Sequence, residues 1–128
     1  MSVKTVAVPS MSPGGLEATR AGHFGHCDLF TLVHLEDGTI KEVSLVDNPP
    51  HVQGGCFAPV NILHKSGAHA LIVGGIGMRP LMGFQQVGID VYFGPQGETV
   101  QSVVNELLNG NLQLIAEHQV CGAGRFHD

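Results

Sequence analysis

The amino-acid sequence predicts a single α/β domain built on a mixed β-sheet, and three observations support this class. The 128-residue chain is 43% hydrophobic and only 13% charged, which is enough apolar material for one packed core. The apolar pattern is strand-like in the first part of the chain and becomes helical after residue 56. An Asp-Gly pair, Asp37-Gly38, marks a tight hairpin between two of the early strands.

The first part of the chain predicts three strands in a meander. Residues 3–8 form a short apolar run that we expect to end at Pro9. Residues 29–35 and 40–46 follow, and the Asp-Gly pair supplies the positive φ that their turn requires. The third strand stops before Asn48-Pro49-Pro50, because proline cannot donate a hydrogen bond to the ladder.

The second part predicts helices that alternate with strands. Residues 57–66 predict a helix that Gly67 ends, and residues 70–73 a buried strand. Residues 78–86 predict a short helix and residues 89–93 a last strand. An apolar stripe at helical spacing then predicts an amphipathic helix that stops at Gly110: Val100, Val103, Val104, Leu107 and Leu108. Residues 111–128 show no clear period, so we predict a domain over residues 1–110 and a His/Cys-containing tail over 111–128.

The predicted element order places several loops at one edge of the sheet. In a meander the first and third strands run the same way, and pairing of the fourth strand beside the first makes strands 1, 3, 4 and 5 parallel. Their carboxyl ends then share an edge, which is where open α/β sheets bind ligands. The loops at this edge carry His23, His26, Cys27, His51, Cys56 and a glycine-rich turn.

A His/Cys-rich segment is the first candidate site. His23, His26 and Cys27 fall within five residues, and imidazole with thiolate suits zinc, copper, iron and metal–sulfur clusters. The spacing is not that of a zinc finger. The alternative is a polar loop in which a histidine bonds the backbone and Cys27 is a small buried hydrophobe.

A second candidate lies at the start of the first predicted helix. A helix amino terminus stabilises a thiolate, so Cys56 is a candidate ligand, and Gly54 and Gly55 leave backbone N–H groups accessible to an anion. His51 lies on the same loop. The alternatives are a buried cysteine under the helix cap and a solvated loop histidine.

The turn Gly74-Gly75-Ile76-Gly77 follows a strand and opens a helix, which is the right place for an anion-binding nest. It is not a dinucleotide fingerprint, because no glycine follows at the required position. Its alternative is a tight turn that needs positive φ. Arg79 and Arg20 are candidate anion contacts.

The tail adds His118 and Cys121, spaced as His-x-x-Cys, which supply further metal ligands or belong to a frayed terminus. The three cysteines are an odd number and widely spaced, which argues against a disulfide framework. Six Lys and Arg against eleven Asp and Glu argue against nucleic acid as a partner. No apolar run has the length of a membrane span and no signal-peptide pattern is present, so we expect a cytoplasmic protein without membrane contact.

Seven short segments, in order, resemble one family. They are the amino-terminal strand, His23-Phe24-Gly25 with Phe30, Asp37-Gly38, Asn48-Pro49, Gly54-Gly55-Cys56, residues 74–77, and Gly88-Ile89 with Val91-Tyr92. The chain resembles the dinitrogenase iron–molybdenum cofactor biosynthesis family, which includes NifX, NafY and the carboxyl-terminal part of NifB. Its glycine-glycine-cysteine and His/Cys-rich version also looks like the orange-protein branch, which holds a molybdenum–copper sulfide cluster.

The resemblance implies a ribonuclease H-like fold with a five-stranded mixed sheet, ordered 3-2-1-4-5 and flanked by helices. It implies a binding or carrier protein for an anionic metal–sulfur cluster expected to contain molybdenum with iron or copper. We do not expect an enzyme, because the sequence offers no recognisable pair of base and nucleophile. A cluster donor or acceptor protein is the implied partner, and His23 occupies the position implicated in holding the cluster. Two alternatives stay open: a nucleotide- or phosphate-binding regulatory module, and simple zinc or copper sequestration.

Overall fold

The computed structural model describes residues 3–21, 27–47, 58–94 and 98–115. They form six strands and three helices: β1 (Val3–Ser10), β2 (Leu29–Glu36), β3 (Thr39–Asp47), α1 (Ala58–Lys65), β4 (Ala70–Val73), α2 (Met78–Gln86), β5 (Asp90–Phe93), α3 (Val100–Leu108) and β6 (Gln113–Leu114).

One mixed sheet joins all six strands in the order β3-β2-β1-β4-β5-β6. The predicted order of the first five strands is confirmed, but the prediction of a five-stranded sheet is wrong. The sixth strand pairs antiparallel with β5 through Tyr92 with Leu114 and Phe93 with Gln113. This strand has only two residues and both are exposed, so the sequence shows no apolar alternation there. The strand exists through backbone pairing alone, which explains why the sequence did not predict it.

β1 continues beyond the proline at which the sequence predicted its end. Pro9 pairs with Phe30 and Ser10 with Leu29 on the β2 side. On the other side β4 pairs with β1 only at Val6 and Ala7. Pro9 has no N–H to donate, and its carbonyl accepts the Ala21 N–H at 2.8 Å instead of a hydrogen bond from β4. The strand tolerates proline because β4 pairing has already stopped.

The β2–β3 turn has the backbone that the Asp-Gly pair predicted. Asp37 has φ of 54° and Gly38 has φ of 80°. Two consecutive positive φ values are the signature of a type I′ turn, whose twist matches that of the flanking strands. This turn lies at the amino end of β1, because Glu36 pairs with Val3.

Helices cover both faces of the sheet. α1 and α2 contribute Val60, Leu63, Leu81 and Phe84 to one buried cluster, which also contains Phe30 and Leu71. α3 contributes Val100, Val103 and Val104 to the other, as the predicted stripe requires. Within the described residues, no helix has both the length and the apolar character to cross a membrane.

Candidate functional site

The carboxyl ends of four strands meet at one edge of the sheet. β1 is parallel to β4, and β4 is parallel to β5. β2 is antiparallel to both β1 and β3, so β3 also runs parallel to β1. Ser10, Asp47, Val73 and Phe93 therefore end their strands on the same side. We call this side the carboxyl edge; it is the side that the sequence predicted.

The structure describes only part of the predicted site. Cys27, Gly74, Gly75, Gly77 and Arg79 lie in the described segments that border the carboxyl edge. The other candidates lie outside the described residues and remain predictions: His23, His26, His51, Gly54, Gly55, Cys56, His118 and Cys121. The described flanks Ala21 and Cys27 both border this edge.

A folded-back segment, residues 11–21, lies over the end of β1. The Met11 N–H donates to the Thr19 carbonyl at 2.9 Å, which brings Arg20 beside Ser10. Thr19 pairs in turn with Thr99, just before α3. The Val100 N–H donates to the Ala18 carbonyl at 3.0 Å. Residues 11–21 thus connect β1 to the amino end of α3.

Two buried hydroxyls hold this segment to the sheet. Ser10 Oγ donates to the Val8 carbonyl at 2.7 Å and lies 2.8 Å from Thr31 Oγ1. Thr31 Oγ1 accepts the Gly15 N–H at 3.1 Å. The sequence did not predict this network. A hint was present in the sequence: Ser10 is a polar residue at the end of β1, and Thr31 is a polar residue within the otherwise apolar start of β2.

Cys27 is buried beside the end of β1. Its side chain is 7% exposed, and the next residue, Asp28, donates its N–H to the Ser10 carbonyl at 3.0 Å. Burial raises the pKa of the Cys27 thiol to about 11; hydrogen bonding to the backbone of Ser10 opposes this, and the charge of Asp28 adds to it. The thiol is therefore protonated at neutral pH, and a metal has to displace its proton before sulfur binds.

Charges of both signs lie at the carboxyl edge. Arg20 is 8% exposed, and burial lowers its pKa, although a guanidinium remains charged at neutral pH. Arg79 is exposed in the first turn of α2. Asp28 and Asp47 are exposed carboxylates at the same edge, and Asp28 also accepts the Ser12 N–H at 2.9 Å.

The turn at residues 74–77 leads into a helix whose amino terminus has no side-chain cap. Gly77 is the N-cap of α2, with φ of −77°, and it has no side chain with which to cap the helix. None of Gly74, Gly75 and Gly77 is among the described glycines with positive φ. The alternative of a tight turn that needs positive φ is therefore not what the structure shows, and anion binding by Gly74, Gly75 and Gly77 stays a prediction. The N–H groups in the first turn of α2 have no side-chain cap from Gly77, and such groups are the usual partners of an anion at a helix amino terminus.

The amino end of α3 is closed by comparison. Thr99 Oγ1 accepts the Ser102 N–H, and Ser102 Oγ accepts the Thr99 N–H, both at 3.1 Å. This reciprocal capping box satisfies the donors that α2 leaves open. Of these two helix ends, that of α3 has a side-chain cap and that of α2 has none.

The described histidines lie away from the candidate site. His34 bonds Thr5 and Ser44 through its two ring nitrogens, at 2.9 and 3.0 Å. His69 accepts the Thr5 N–H at Nδ1, and His64 is exposed on α1. The described residues contain no group of three or more His, Cys, Asp and Glu side chains arranged to hold a metal ion. Within this part of the chain, Cys27 is the thiol at the carboxyl edge.

Comparisons with known proteins agree with this fold. The model of the dinitrogenase iron-molybdenum cofactor family matches residues 4–110. The uncharacterised protein MJ0580 of Methanocaldococcus jannaschii is 35% identical over 72 residues, which cover 55% of this chain and 61% of the relative. The chain thus matches less than two thirds of that relative's length.

Two solved structures superpose closely. The apo form of the orange protein from Desulfovibrio gigas has a TM-score of 0.75 at 29% identity, covering 88% of this chain and 93% of that one. A Thermotoga protein described as a candidate NifB protein of the DUF35 family has a TM-score of 0.72 at 25% identity, covering 87% and 92%.

Proposed function

We propose that this chain, which belongs to the dinitrogenase iron-molybdenum cofactor family, binds an anionic metal–sulfur cluster at its carboxyl edge and carries it without catalysing a reaction. The observation that carries the proposal is that Cys27 and the amino end of α2, which has no side-chain cap, both lie at that edge. One provides a soft donor and the other provides N–H groups for an anion.

The described residues fit a ligand that is held by several weak contacts. Cys27 and Ile76 both belong to the buried cluster on the face of the sheet that α1 and α2 cover. Arg20 and Arg79 add positive charge at the edge. Because the Cys27 thiol is protonated at neutral pH, binding of a metal to its sulfur is coupled to loss of that proton, which lowers the affinity at this pH.

The further ligands that we propose come from the segment containing His23 and His26 and from the loop containing His51, Gly54, Gly55 and Cys56. The chain continues from Ala21 and returns at Cys27, and it leaves β3 at Asp47 and returns at α1. Each of these flanks borders the carboxyl edge. We also propose molybdenum, with iron or copper, as the metal, and a cluster donor or acceptor protein as the partner.

The proposal is tested by anaerobic reconstitution of the purified protein with tetrathiomolybdate and copper(I), and separately with iron and sulfide. After gel filtration, metal analysis and visible spectra show whether a cluster stays bound. We expect the combined variant His23→Ala/Cys27→Ala to lose most of the visible absorption and bound metal. His64→Ala is the matched control, because His64 is exposed on α1. Equal uptake by the combined variant and the control would overturn the assignment of this site.

A second candidate function is simple zinc or copper sequestration. The exposed carboxylates Asp28 and Asp47 favour it, because they attract a cation and oppose an anionic cluster at the same edge. Titration with zinc or copper alone separates the two. Retention of either ion without sulfide, at the stoichiometry of the reconstituted protein, favours sequestration.

A third candidate is a nucleotide- or phosphate-binding module, which the uncapped α2 terminus favours. It predicts thermal stabilisation by nucleotides in metal-free protein. Absence of any such shift, together with a bound cluster after reconstitution, favours the carrier.

A further inference from the structure

A cavity lies at the end of the sheet opposite to the carboxyl edge. α3 has nine residues and is about 13 Å long, whereas β1 has eight residues and is roughly 26 Å long. The helix therefore covers only part of the sheet face on which it packs. A cavity of about 310 Å³ remains between the end of α3, the start of β1 and the β2–β3 turn.

The cavity has an apolar wall and a polar rim. Leu35 is buried, and Leu107 and Leu108 come from the last turn of α3, where Leu108 is 37% exposed. Tyr92 is half-buried on β5. Lys4, Asp37 and Gly38 complete the lining. Small-molecule sites combine a mostly apolar lining with a few polar groups, and their volumes begin at roughly 300 Å³.

Lys4 is placed to bind a negative charge. It alternates with Val6 and Val8 along β1, and both valines are buried in the cluster that α3 covers, so Lys4 faces the same side of the sheet. It pairs with Leu35 across β2. No salt bridge joins Lys4 to another residue in the described part of the chain. An ammonium group therefore lies at the rim of an apolar cavity.

We propose that this cavity binds a small monocarboxylate with a branched apolar body. The carboxylate lies between the Lys4 ammonium and the Tyr92 hydroxyl, and the body packs on Leu35, Leu107 and Leu108. The lining has one cation, Lys4, and one carboxylate, Asp37, so a second negative charge on the ligand would find no partner there, which disfavours phosphates and dicarboxylates. The site is separate from the carboxyl edge and needs no metal, so carboxylate binding can be tested independently of cluster binding.

A built-in probe reports on this cavity. The chain has one tyrosine and no tryptophan, so its intrinsic fluorescence comes from Tyr92. The metal-free protein is titrated with 4-methylpentanoate, with the isosteric amide 4-methylpentanamide and with leucine. We expect 4-methylpentanoate to change the emission saturably and to bind at least about fivefold more tightly than the amide, because only the acid pairs with Lys4. Leucine distinguishes an amino acid from a simple acid as the source of the carboxylate.

Variants test the residues. Lys4→Met keeps the side-chain length and removes the charge, and we expect it to weaken acid binding at least about fivefold while leaving the weak binding of the amide unchanged. Lys65→Met, at an exposed lysine in the last turn of α1, is the matched control and should bind as the wild type does. Tyr92→Phe is followed by thermal shift, since it removes the fluorophore.

Three results would overturn the proposal. The acid would bind no more tightly than the amide to the wild-type protein, Lys4→Met and Lys65→Met would bind it equally, or none of the three ligands would change Tyr92 emission or the melting temperature. The comparison of acid and amide needs no variant, so it remains decisive even if a variant folds poorly.

Discussion

Ser10, the last residue of β1, and Thr31 of β2 are joined by a hydroxyl–hydroxyl hydrogen bond of 2.8 Å. Both residues are fully buried. Because Ser10 Oγ gives its proton to the Val8 carbonyl, Thr31 Oγ1 donates to Ser10 and accepts the Gly15 N–H. Each hydroxyl thus has a partner, and residues 11–21 are fixed to the strands that carry the carboxyl edge.

Replacing Thr31 should loosen this support. Thr31→Val keeps the shape but removes the acceptor of the Gly15 N–H, and we expect a loss of about 1–3 kcal/mol in the free energy of unfolding. Urea denaturation measures the loss, and hydrogen exchange should show weaker protection of the Gly15 amide. Thr39→Val, at an exposed position of β3, is the control and should change stability by less than about 0.5 kcal/mol. Equal stability of the two variants would show that this hydrogen-bond network does not stabilise the fold.

His69 stabilises the other end of β1. Its Nδ1 accepts the Thr5 N–H at 3.0 Å, and its own N–H donates to the Thr5 carbonyl at 2.8 Å. His69→Ala removes the first bond, and we expect the free energy of unfolding to fall by about 1 kcal/mol, the usual net contribution of one hydrogen bond, measured as a lower urea midpoint. His64→Ala should leave the midpoint unchanged. A midpoint for His69→Ala equal to that of His64→Ala would contradict this role.

The Cys27 thiol gives a pH dependence with a definite sign. Its pKa of about 11 in the folded chain lies above the ordinary thiol value. The unfolded chain therefore loses this proton first as pH rises, and the contribution of Cys27 to stability is present below the ordinary value and is lost towards pH 11. Denaturation across the alkaline range measures this loss, which Cys27→Ala should reduce. An identical alkaline loss in Cys27→Ala would contradict it.

Two glycines near the carboxyl edge should respond differently to a methyl group. A Cβ at Gly94 would meet Ile72 Cγ2 at 3.0 Å and Leu112 Cδ1 at 3.3 Å, so we expect Gly94→Ala to destabilise the fold by about 1–3 kcal/mol. At Gly77 the nearest atom is Pro80 Cδ at 3.7 Å, and φ is ordinary, so Gly77→Ala should fold normally. Thermal melting of the pair checks this. Comparable melting temperatures would show that the Gly94 contact relaxes freely.

The sequence predicted the elements that have strong local signals. The bounds of α2 and β4 agree with the prediction, because Gly77, Gly88 and a run of apolar residues mark them. The Asp37-Gly38 turn was predictable from its backbone requirement. β6 was not, because Gln113 and Leu114 are exposed and their strand exists only through pairing with β5. The extension of β1 past Pro9 was not predictable either, because it depends on where β4 stops pairing with β1, and the local sequence of β1 does not determine that.

The site was less predictable than the fold. Strand order alone placed Cys27 and residues 74–77 at one edge. The burial of Cys27 and Arg20 depends on residues 11–21 folding back, and no periodic pattern in that segment announces it. The cavity at Lys4 and Tyr92 arises because α3 is shorter than the strand it covers, a mismatch visible only when the two are packed together.

The most direct test of cluster binding is the metal and sulfide content of the protein purified anaerobically from its native host. We expect molybdenum with iron or copper, together with inorganic sulfide, in a fixed ratio to the chain. Acidification should release them and remove a visible absorption band. Protein that carries only zinc or copper without sulfide, or that is free of metal although purified without oxygen or chelator, would show that the chain does not carry a metal–sulfur cluster.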